Sequence, residues 1–174
     1  MIKTIDIKIT KNIFDKAQQR NEKYKNKYGN AGTHRINKDR QRMTGYLAEA
    51  AITDRFAQIK YSKNDVVDFV LGGVTIDSKA QGCNSRPLMS YSATLYEEQK
   101  NRQTDFYIFS RVKNDFSMIW ICGIISKPKF FDEAKLIPVG TKNNNFTYDQ
   151  SRYEIQYNQL EDLTIFMEKF YETV

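Results

Sequence analysis

Ile5, Ile7 and Ile9 alternate with polar residues, the period of two that predicts a short strand with one buried face. From residue 12 the spacing lengthens. Ile13, Phe14, Ala17, Tyr24 and Tyr28 gather near one side of a helix predicted over 12–28, with Asn12 placed to cap it and Gly29-Asn30-Ala31-Gly32 to end it. A basic connection follows, and a second helix is predicted over 40–57. Two extended runs, 66–71 and 74–80, flank Gly72-Gly73, the signature of a two-residue hairpin loop. Thr94 with Glu97 three residues on predicts a capping box opening a helix to about residue 102. The runs 105–112 and 117–125 are mainly apolar and read as central strands. A polar loop over 142–145, a strand over 152–157 and a helix over 160–171, carried by Leu160, Leu163, Phe166, Met167 and Phe170, complete the pattern. The order predicts a mixed α/β fold around one sheet. With no internal repeat and no evident boundary, residues 1–174 read as one domain.

Composition narrows the function. Apolar residues make up 40% of the chain, with eleven Tyr and eleven Phe, enough to build a core. No run approaches the ~20 apolar residues of a membrane span. Residues 1–6 lack the basic-then-apolar layout of a signal peptide, so an intracellular setting is expected. Cys83 and Cys122 have no partner at metal-ligand spacing and read as idle thiols. His34 is the only histidine, which argues against a zinc site and a His-based triad. A catalytic metal would then need carboxylate ligands, favouring Mg²⁺ or Mn²⁺. The net charge of +6 is uneven: residues 16–42 hold nine basic side chains against Glu22 and Asp39, a local +7. Within it Arg35, Lys38, Arg40 and Arg42 are candidate phosphate contacts for a nucleic-acid partner; a solvated helix face is the plainer alternative.

The hairpin carries the candidate chemistry. A turn at Gly72-Gly73 pairs Leu71 with Val74 and Phe69 with Ile76, so Asp68 falls opposite Asp77 on one sheet face. Lys79, two residues on, points the same way, and Gln81 follows it. Opposed carboxylates repel, and a divalent cation relieves that better than an ammonium does. Two carboxylates, a metal and a lysine suit phosphodiester hydrolysis. An exposed hairpin with a surface Asp–Lys pair remains the alternative. On the second helix Glu49 shares a face with Tyr46, Ile52 and Phe56, a costly place for a carboxylate unless it is paired or metal-bound. Pairing with Arg42 or a seat at the helix rim would be the structural explanation.

A helical Glu49, then Asp68, then Asp77-Ser78-Lys79 on a hairpin resembles the PD-(D/E)XK nuclease superfamily, over roughly residues 40–125. Val67 stands where that motif often has Pro. The resemblance implies a restriction-endonuclease-like fold, a central mixed sheet flanked by helices, and Mg²⁺-dependent cleavage of DNA. It implies Asp68 and Asp77 as metal ligands, Lys79 as the catalytic lysine, Glu49 as an auxiliary acid and ligand, and Gln81 as an assisting polar residue. Gln99 is followed four residues on by Gln103, so the Gln-x-x-x-Tyr motif of the recombination-exonuclease branch is missing. The expectation is a small stand-alone endonuclease of resolvase, restriction or phage type, as a monomer or a homodimer. Two other readings compete: a catalytically inactive nucleic-acid-binding module on the same fold, and a structural protein with a charged hairpin.

Overall fold

The computed structural model describes residues 4–28, 35–63, 66–143 and 146–172. The first half runs β1 (Ile5–Lys8), α1 (Lys11–Tyr28), α2 (Arg35–Arg55), β2 (Lys60–Tyr61), β3 (Phe69–Leu71), β4 (Val74–Cys83), β5 (Ser92–Tyr96) and a 3₁₀ turn (Glu97–Asn101). There follow β6 (Phe106–Lys113), β7 (Met118–Ser126), α3 (Lys127–Glu133), β8 (Lys135–Ile137), β9 (Lys142–Asn143), β10 (Phe146–Thr147), β11 (Arg152–Gln156), a second 3₁₀ turn (Tyr157–Gln159) and α4 (Leu163–Glu172).

Six strands form a mixed sheet in the order β1-β7-β6-β4-β3-β2, in which only β4 and β6 run parallel. β5, β11 and β8 form a second, antiparallel sheet. Alternation along β6 divides its side chains between two layers. Ile108 packs with Ile52 of α2, with Phe56 just after that helix and with Leu163 and Phe166 of α4. Tyr107 and Phe109 pack on the other side, with Phe130 of α3, Leu95 of β5 and Tyr153 of β11. A third cluster joins Ile13 and Ala17 of α1 to Leu47 and Ala51 of α2. The fold is thus mixed α/β, a mixed sheet flanked by helices.

The hairpin has the expected register, Phe69 with Ile76 and Leu71 with Val74. Gly72 and Gly73 have φ of 51° and 94°, the positive values a tight two-residue turn requires at both positions. The consequential feature is unequal length. β3 covers only Val74, Thr75 and Ile76 of β4, whereas β6 accompanies β4 from Ile76 to Cys83. Beyond Ile76 one edge of β4 is left without β3.

Several expectations fail. Residues 94–102 are not a capped helix: Thr94 lies in β5, paired with Glu154, and only a 3₁₀ turn follows. The basic connection is already helical from Arg35, because α2 begins five residues earlier than expected. The first helix is capped by Thr10, whose Oγ1 accepts the Ile13 N–H at 3.3 Å, while the Asn12 amide reaches Asp54. Lys142 and Asn143 are a strand rather than loop, and α3 was not foreseen. Gly29–Gly32 and His34 lie outside the described residues.

Candidate active site

Asp68 stands just before Phe69 and Asp77 just after Ile76, the outermost pair of the hairpin, where β3 parts from β4. Asp68 Oδ2 accepts the Ser78 backbone N–H at 2.7 Å, so a side chain takes over the ladder that β3 has left. Asp77 is 1% exposed. Its Oδ2 lies 2.6 Å from Lys79 Nζ and 3.3 Å from Arg102 Nε, yet neither carboxylate oxygen has a well-aligned hydrogen bond among the described residues. Two cations therefore offset the Asp77 charge without satisfying its oxygens.

Glu49, on α2, is 6% exposed and sits 2.8 Å from Arg20 of α1. The Arg20 guanidinium is itself held over Tyr61, 4.1 Å from the ring centre, and near Tyr46 at 5.4 Å. Burial pushes the Glu49 carboxyl up to about 8; the Asp68 charge adds to this, and Arg20 partly opposes it. Burial, and next the charge of Asp77, raises Asp68 to about 7. Glu49 and Asp68 thus feel each other at a single edge, and near neutral pH these two do not both ionise freely.

The chemistry of this set can be tested against a divalent cation. Asp77 offers two buried, poorly bonded oxygens, and Asp68 is forced beside it. Mg²⁺ takes one or two carboxylates plus water and phosphate oxygens, so the pair is sufficient. Among the described residues no group of three or more His, Cys, Asp and Glu side chains is placed to hold a metal ion. Glu49 Oε2 instead faces Arg20. The pair fits a hard divalent cation, with Glu49 acting on it through charge.

Lys79 and Gln81 open onto a cleft of about 580 Å³ between α2, the free edge of β4, and β5. Gln41, Thr94, Tyr96 and Gln99 line it as well. The basic candidates Lys38, Arg40 and Arg42 are not among its lining residues. Lys38 is exposed, Arg42 pairs with Asp39, and Arg40 donates to the Asn114 carbonyl. The Arg35 side chain lies outside the described residues. Lys16 and Lys25 are engaged by Asp54 and Asp39. Much of the local positive charge is therefore already partnered within the chain.

Sequence reasoning missed Arg20 and Arg102. Arg20 had a signal: it stands three residues after Ala17 and four before Tyr24, a cation on the apolar stripe of α1. Arg102 had none, since it reaches Asp77 from the end of an irregular turn. Comparison with protein-family models, curated proteins and solved structures finds no match to this chain.

Proposed function

We propose that this chain is a metal-dependent nuclease, with a restriction-endonuclease-like core of the PD-(D/E)XK type, that hydrolyses phosphodiester bonds of DNA. One observation carries the reading: Asp68 and Asp77 are forced together at the end of β3, with Lys79 against them at the head of a cleft. A structural hairpin has no use for a buried acid set beside another, where burial and then the Asp77 charge raise the Asp68 pKa.

Asp68 and Asp77 would hold the Mg²⁺ or Mn²⁺, which when bound polarises the phosphate and offsets its charge. The rest falls to the chain. Lys79, freed from Asp77 as the site fills, places its ammonium beside the phosphate and the attacking water. Hydrolysis joins the water oxygen to phosphorus and breaks one P–O ester bond; the attacking water gives up a proton to solvent, and the departing oxygen takes one from solvent. Glu49, held by Arg20, stands behind Asp68, and as its raised carboxyl ionises it adds negative charge that strengthens the demand for a cation. Lys38 and the other exposed charges near the start of α2 supply attraction for the backbone.

The test is cleavage of labelled duplex, branched and single-stranded DNA by the purified protein, in Mg²⁺, in Mn²⁺ and in EDTA. Metal-dependent cleavage of at least one substrate, lost in Asp77→Asn, is the expected result. Cleavage that survives EDTA, or none on any substrate, refutes the reading.

A further inference from the structure

We infer that the cleft beside Lys79 receives a nucleobase of the bound strand, taken out of its stack next to the phosphate being cut. The inference deepens the nuclease reading and rests on it. The character of the lining is what points to a base. Among the described lining residues Lys79 is the one charged group; Gln41, Gln81 and Gln99 bring side-chain amides and Thr94 a hydroxyl. A groove meeting only phosphates would be lined with Lys and Arg. An amide offers a donor and an acceptor in one plane, which is what the edge of a base requires.

Gln99 supplies a second, independent indication. Its Oε1 is buried and has no hydrogen-bond partner among the described residues, a costly state for a carbonyl. The residue is also anchored, because the Tyr107 hydroxyl donates to the Gln99 backbone carbonyl at 3.0 Å. With its backbone anchored and its residue lining the cleft, a rotation of the Gln99 side chain turns that unmet acceptor to an incoming N–H, such as the exocyclic amine or ring imide of a base. Tyr96, 43% exposed, is also part of the lining, its ring gripped by the Arg152 guanidinium at 5.3 Å. A half-exposed, braced aromatic ring is a stacking platform for a base. The volume of about 580 Å³ lies within the range of small-ligand pockets and admits a base with its sugar. The preferred substrates follow: strands whose nucleotide at the cut is unpaired or easily unstacked, rather than uniform duplex.

The experiment measures binding in Ca²⁺ of labelled octamers by fluorescence anisotropy. One set carries bases (dT8, dA8, dC8) and one is a fully abasic octamer with the same phosphates. The wild-type protein is expected to bind the best base-bearing octamer about ten-fold more tightly than the abasic one, the scale of stacking and edge contacts to one base. In the double variant Gln99→Leu, Tyr96→Ala the gap should shrink to within about two-fold, with abasic affinity unchanged. Gln81→Ala, at an exposed position of β4, gives a partial loss and stands in should the double variant melt prematurely. Equal binding of base-bearing and abasic octamers overturns the proposal. So does a gap that persists in the variants, or no binding of any octamer. Cleavage in Mg²⁺ is read in parallel: cleavage without a base-dependent gap keeps the nuclease reading and removes the pocket, and a gap without cleavage does the reverse.

Discussion

Asp68→Asn removes one of two crowded carboxylates while leaving an oxygen to accept the Ser78 N–H, so it isolates charge from hydrogen bonding. In the native protein the Asp68 carboxyl is raised from 3.8 to about 7, first by burial and then by Asp77. The native state holds that proton over a range where the unfolded chain has already lost it. Stability is therefore undiminished below about pH 4, falls as pH rises, and levels off above about pH 7. Each pH unit across that range costs ~1.4 kcal/mol, which amounts to about 4 kcal/mol in all, and coupling of Asp68 to Glu49 reduces this to roughly 2–4 kcal/mol. For a chain of this size that is about 5–15 °C in Tm. Melts in EDTA from pH 4 to pH 9 provide the assay. Variant and wild type should coincide near pH 4, and the variant should be the more stable by that amount at pH 8. A difference that is the same at both pH values, or that favours the wild type at pH 8, refutes the idea that Asp68 and Asp77 repel each other. Adding Mg²⁺ at pH 8 should raise the wild-type Tm and leave Asp68→Asn nearly unmoved, because ligation needs the deprotonated carboxylate.

Lys79→Ala should keep its affinity for DNA in Ca²⁺ yet lose about 10²–10³ in cleavage rate in Mg²⁺, since its ammonium acts on charge that develops in the transition state; single-turnover kinetics on a substrate the wild type cuts decides this. Arg20→Gln leaves Glu49 without its cation, so the Glu49 carboxyl should rise above its present value of about 8. Its cost, on the order of 1–3 kcal/mol in urea unfolding, should be larger at pH 9 than at pH 6, where Glu49 is protonated in either protein. Lys38→Ser should reduce the salt dependence of duplex binding by about 0.9 in log–log slope, whereas Arg42→Ser should change it less, because Asp39 already holds Arg42.

What the sequence revealed of the fold depended on how local the determinant was. The hairpin was legible because Gly72-Gly73 fixes turn and register together, with two positive φ values no other common residue pair adopts so easily. β6 and β7 were legible as apolar runs, but their faces were not. A bulge at Cys122 shifts the alternation by one, so Ile119 and Ile121 before it and Ile124 after it all face the helical layer. Gly123 there has φ of 147°, and a Cβ would meet Leu160 Cβ at 2.6 Å. The Thr94–Glu97 pattern misled because a capping box is a local preference, and pairing of β5 with β11 outweighs it through contacts sixty residues away along the chain.

The site was legible in its acids and not in its cations, and the reason is physical. An acid opposite an acid on a predicted hairpin is an anomaly that local geometry exposes. An arginine is an anomaly only when the surface it lies on is known. Arg20 and Glu49 each stand on the apolar stripe of a different helix, and each alone is a costly placement. α1 and α2 pack against each other through Ile13, Ala17, Leu47 and Ala51, which brings the two misfits to 2.8 Å. One pair of complementary misfits in neighbouring stripes therefore predicts both the helix contact and its register. Arg102 offers no such handle, because no periodicity governs the turn that carries it. Its place beside Asp77 follows from the short β3: a strand paired along the whole of β4 would occupy the edge where Asp68, Lys79 and the cleft now meet. The truncation of β3 at Phe69 is thus what turns a structural hairpin into a charged edge open to a ligand.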